Sequence, residues 1–229
     1  MPPGLFSLEP YRRFLARALA RAELRDDFRQ LSRRLLIPAT DLDSGERVLF
    51  GARPWDDVPI STAIAASSAI PAFFEPVGVR GRHFIDGNVG HVAHLDALVA
   101  HGARCVLVVS PIAPVRNGPA RCIVPGESGA CGSIRDRGMW TVHGQAWRLE
   151  HHVRLHLGIA RSRAEHPGVD VVLLEPPRDD ATLFLANPMS FEARREVLEA
   201  GYAHGRAFLT AEPLPFRVAS ERTSATAPA

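Results

Sequence analysis

The sequence predicts an α/β fold. Apolar residues recur at helical spacing over 8–31 and again over 191–209. Two aliphatic runs, CVLVV within 104–109 and VVLL within 169–174, have the composition of strands buried on both faces of a parallel sheet. Such strands alternate with helices along the chain, the order that builds a sheet covered by helices. With 229 residues, 46% of them apolar, the chain is long enough for one or two globular domains and too apolar for a disordered protein.

The first element is a helix over 8–31, with Pro10 in its first turn and a break near Asp26. Its arginines at 13, 17, 21, 25 and 29 continue to 33, and a four-residue spacing drifts ~40° per step around the helix. That row reads as a solvated face with local pairs such as Glu9 with Arg13; the alternative is a peripheral contact with anionic lipid headgroups. Strands follow at 34–39 and 47–50, joined by a turn over 41–46 in which Gly45 takes the positive φ. A helix of small residues spans 59–68 and stops before Pro71. A strand at 83–85 ends on Asp86-Gly87, a helix at 94–101 stops at Gly102, and the strand 104–109 comes next. Four prolines and four glycines within 110–133 predict a long irregular loop. A long helix over 136–165, the strand 169–174 and a closing amphipathic helix over 191–209 complete a domain of 1–210. The Pro/Ser/Thr/Ala tail 211–229 is expected to be disordered.

Composition excludes several classes. A net charge of +2 gives no pull toward nucleic acid, and all 27 basic residues are arginine. Cys105, Cys122 and Cys131 are odd in number and form no CxxC pair, which argues against a disulfide scaffold and for a reducing, cytoplasmic location. The longest uncharged run, 58–74, contains Pro59 and Pro71 and cannot span a membrane as a helix. The opening MPPGLFSLEPYRRF lacks the basic-then-apolar order of a secretory signal.

Candidate chemistry is densest between Ile37 and Asn88. Asp86 ends a strand and precedes Gly87; groups just past the carboxyl end of a strand in an open α/β sheet face the binding crevice. The dipeptide taken alone reads equally as a turn in which Asp86 caps backbone amides. Three segments in order, ATDLDSGE, then AASSAIPAFF, then GRHFIDGN, resemble the patatin-like phospholipase family, and the likeness continues through HLDALVAHGA into CVLVVSP. Laid over roughly 4–209, the chain is similar to the carboxyl-terminal part of bacterial members.

The resemblance implies a three-layer α/β/α sheet without its amino-terminal strands. It also implies a lipid acyl hydrolase working through a Ser–Asp dyad, with a lipid or fatty-acyl ester as substrate and no cofactor or metal. Asp86 matches the general-base aspartate of the D-G-G/A motif, Gly87 its glycine, and Asn88 replaces the usual Gly or Ala. The nucleophile does not carry over, because no G-x-S-x-G elbow and no glycine-rich oxyanion loop occur in the 229 residues. Ser128, in GESGA, lies after Asp86 in the long loop, and Ser67 and Ser68 lie in a helix without flanking glycines. The chain is therefore expected to carry the aspartate half of the site and to be inactive alone, its amino-terminal half coming from elsewhere. The alternative is a non-catalytic protein that binds lipid or a partner.

His91 and His94 follow Asp86 closely, and His152 and His156 are four apart on a helix. Helical i, i+4 histidines can ligate zinc, but no HExxH pattern and no third ligand is evident in the sequence. All four are read as surface or packing residues.

Overall fold

The computed structural model describes residues 2–126, 129–186 and 190–211. Ser128 and, apart from Ala211, the expected tail lie outside these. The described residues form six α-helices and two sheets, which is the α/β class expected, in two compact units that divide between His94 and Leu95.

The first unit opens with α1 (Glu9–Arg21), with Pro10 in its first turn. The helix is shorter than its periodicity suggests. Glu23 takes a positive φ of 56°, and Asp27 caps a separate 3-10 turn, Phe28–Gln30. Glu9 pairs with Arg12 at 2.7 Å as well as with Arg13 at 3.6 Å. Strands β1 (Ile37–Asp41) and β2 (Arg47–Phe50) make the expected hairpin, with Gly45 at φ 72°. Next come α2 (Ile60–Ser67), β3 (Val77–Val79) and β4 (Arg82–Asp86). The antiparallel sheet runs β2-β1-β4-β3, so β4 is paired on both sides.

Strand β3 is not evident in the sequence, for a reason of turn chemistry. It joins β4 through Arg80 and Gly81, with φ of 53° and 75°, and positive φ at both central residues defines the tight turn usually written Asn-Gly. Arginine is tolerated there because its guanidinium is held from outside the turn. It donates to the Pro54 carbonyl at 2.9 Å, pairs with Asp57, and lies over the Trp55 ring at 5.0 Å.

The core of this unit is aromatic at its centre. Phe50 and Phe84 are fully buried and meet edge to face at 5.3 Å, and Trp55 packs edge-on against both. Helix α2 lays Ile60, Ala63 and Ala66 against this cluster, its small residues permitting close approach to β1 and β4. Pro59, at its amino end, offers no side-chain cap. Asp26 supplies one from 35 residues away, accepting the Ser61 N–H at 2.7 Å and the Ser61 hydroxyl at 2.6 Å.

The second unit contains α3 (Leu95–Ala100) and a parallel pair, β5 (Cys105–Val109) with β6 (Asp170–Leu174). The crossover includes α4 (Met139–Glu165), which starts after Gly138 at φ 84°, and α5 (Ala181–Leu185) and α6 (Ala193–Thr210) follow. This unit corrects one expectation. β5 is not buried on both faces: Leu107 and Val109 are 46% and 62% exposed, because within the described residues β5 pairs only with β6. Helix α6 has the amphipathic spacing but buries no residue fully.

The loop over 110–133 is irregular, as its prolines and glycines require, yet it is tied together. The Asn117 side chain accepts from the N–H groups of Ile123 and Val124, each at 3.0 Å, and donates to the Gly132 carbonyl at 2.8 Å. Gln145 of α4 exchanges two hydrogen bonds with the backbone of Val115. Cys122 and Cys131 form a disulfide that the odd cysteine count does not announce; Cys105 is free and exposed. Pairing two of three cysteines across nine residues builds no scaffold but closes one loop.

Candidate active site

Asp86 is the last residue of β4, opposite Ala39 of β1, and is half-buried. Its backbone is fixed on both sides: its N–H donates to the Ala69 carbonyl beyond α2 at 3.0 Å, and its own carbonyl accepts from Val89 at 3.2 Å. One carboxylate oxygen, Oδ1, accepts the Asn88 N–H at 2.8 Å, so the turn-capping arrangement does form. The other oxygen accepts no hydrogen bond among the described residues. Burial pushes the Asp86 carboxyl above its ordinary value, and the Asn88 N–H opposes this more weakly.

Gly87 is required by space. A Cβ there would lie 2.6 Å from the Pro38 carbonyl oxygen, inside van der Waals contact, so the turn after β4 can cross β1 only without a side chain. Gly90 similarly closes over the Thr40 hydroxyl. The Asn88 backbone, as distinct from its side chain, makes the contact to Asp86. The rings of His91 and His94 stand 6.3 Å apart, and neither hydrogen-bonds the Asp86 carboxylate. Ser67 closes α2 and Ser68 caps it with ordinary backbone angles, so neither sits on a strained elbow.

Asp41 contrasts with Asp86. It is 2% exposed and accepts from the N–H groups of Asp43 at 3.0 Å and Ser44 at 2.8 Å and from Arg82 Nε at 2.5 Å. These donors, the Ser44 N–H foremost, hold its carboxyl below the usual range. Asp41 is saturated and structural, whereas Asp86 keeps an oxygen in hand.

The second unit holds a cluster that the sequence does not announce. His152 and His156 lie on one face of α4 with ring centroids 4.2 Å apart. Glu175, immediately after β6, meets both, with Oε1 3.2 Å from His152 Nδ1 and Oε2 3.0 Å from His156 Nε2. The signal that could have found Glu175 is the one that singles out Asp86, an acid at the carboxyl end of an aliphatic strand. Nearby, Ser110 Oγ lies 3.3 Å from His151 Nε2, and both residues are buried.

These features describe an α/β protein that presents a carboxylate at the end of a sheet strand, on a turn sealed by glycine. Residues 2–98, a segment that includes β1 to β4 and the Asp86 turn, match the model of the patatin-like phospholipase family. The family is one of lipid acyl hydrolases. No curated protein gives a significant match.

Proposed function

We propose that this chain supplies the general base of a lipid acyl hydrolase. Asp86 takes the proton of a serine hydroxyl as that oxygen attacks the carboxylic ester of a lipid. It gives that proton to the departing alcohol as the acyl-enzyme forms, then takes one from the water that releases the fatty acid and returns it to the serine oxygen. The serine belongs to a G-x-S-x-G segment on another stretch of polypeptide, since the 229 residues contain none.

The observation that supports this reading most is the state of the Asp86 carboxylate. Its backbone is immobilised, one oxygen is oriented by the Asn88 N–H, and the other is left unpaired among the described residues. Partial burial raises its proton affinity, as a base acting near neutral pH requires. A lipid surface as the source of substrate suits the amino-terminal segment, where Leu5, Phe6 and Phe14 are 65%, 51% and 61% exposed among arginines.

The test is hydrolysis of a phospholipid or a fatty-acyl p-nitrophenyl ester. The chain alone is expected to show none. Joined in cis or in trans to a patatin-like segment that carries G-x-S-x-G, it should turn over. In that active form Asp86→Asn should lower kcat by about 10³–10⁴-fold at unchanged folding. Turnover unaffected by Asp86→Asn would overturn the assignment.

A further inference from the structure

We propose that His152, His156 and Glu175 form a zinc site with three protein ligands and a fourth position left for water. The proposal does not rest on Asp86.

The ligand types are those of a three-ligand zinc centre: two imidazole nitrogens and one carboxylate. The fold brings them together by two independent means. The i, i+4 spacing puts both imidazoles on one face of α4, and Glu175 leaves β6 where the strand ends. The separations suit the ion. Ligand bonds of about 2.0–2.1 Å at tetrahedral angles place ligand atoms about 3.3 Å apart. The two nitrogen-to-oxygen distances are 3.2 and 3.0 Å, and all three groups can offer ligand atoms within 4.8 Å of one another.

Burial points the same way: the His152 and Glu175 side chains are only 21% and 16% exposed, so an ion held between them is largely shielded from bulk water. Access is open as well. His156 is 48% exposed and lines a groove of about 340 Å³, walled by Ile159, Arg163 and Phe208, so the cluster is open to solvent at this ligand.

Zinc titration of the full chain, stripped of metal with EDTA and followed by calorimetry, tests the site. A Cys105→Ser background removes the exposed thiol as a competing ligand. One ion per chain is expected. His156→Ala and Glu175→Gln should each weaken binding by at least about tenfold, with unchanged far-UV circular dichroism. Cobalt substituted for zinc should give the visible absorption of a tetrahedral ion, lost in both variants. Absence of binding at micromolar zinc, or binding indifferent to both substitutions, overturns the proposal and leaves the cluster as hydrogen bonds between Glu175 and two histidines. Should Glu175→Gln fail to fold, His156→Ala decides alone, since it alters a half-exposed side chain.

Discussion

Asp41 and Asp86 stand on paired strands and use their carboxylates in opposite ways. Asp41 has three donors and a lowered proton affinity, so the unfolded chain binds its proton more readily than the native one. Its contribution to stability is therefore complete above the ordinary carboxylate value of about 3.9 and is lost as pH falls through the lower native value. Asp41→Asn should cost about 2 kcal/mol at neutral pH and flatten the acid limb of the unfolding curve, as chemical denaturation across the acid range would reveal. Asp86 has the reverse sign. Its raised value means that stability falls as pH rises through it, so the same carboxylate that suits a base weakens the fold slightly. The sequence allows both the cap and the crevice reading of Asp86; the structure forms the cap on Oδ1 and leaves the other oxygen without a hydrogen bond among the described residues. Gly87 needed the fold to explain it, because its constraint comes from Pro38 on another strand.

Among the elements, those with a strong local pattern were legible: β2, β4, β5, β6 and the small-residue helix α2 stand at or close to their expected positions. Those set by distant partners were not. β3 is three residues long and depends on Arg80 being held by Pro54 and Asp57. The Cys122–Cys131 bond was hidden because the cysteines were judged by count, and only the fold of the loop brings their Cα atoms to 5.4 Å. Closing so short a loop contributes about 2–3 kcal/mol in the chain-entropy account. Reduction, or Cys131→Ser, should thus raise amide hydrogen exchange at Ile123, Val124 and Gly132, while β1–β4 exchange as before. Equal exchange in both redox states would show that Asn117 alone holds the loop. Glu175 belongs with these cases: a metal reading of α4 needs a third ligand, and that ligand lies nineteen residues past His156.

Each of the two units is a folding problem of its own. The first has a paired sheet, a covering helix and a fully buried aromatic centre within its first 94 residues. That is within the size at which single domains stand alone. Expressed as 1–94, it should melt cooperatively and give dispersed amide resonances; a collapsed spectrum would show that its stability is borrowed. None of the described helices is long and apolar enough to cross a membrane, so contact with lipid falls to surface features. The α/β class was readable from periodicity, whereas the distribution of strands over two sheets was not, since pairing is a property of the whole chain. Within the first unit, Asp26 has the farthest reach. By ending α2 with hydrogen bonds that Pro59 cannot make, it fastens the stretch between α1 and β1 to the helix behind the sheet. One carboxylate is thus both terminus and clasp, and its loss would fray a helix and slacken a crossing at a single stroke.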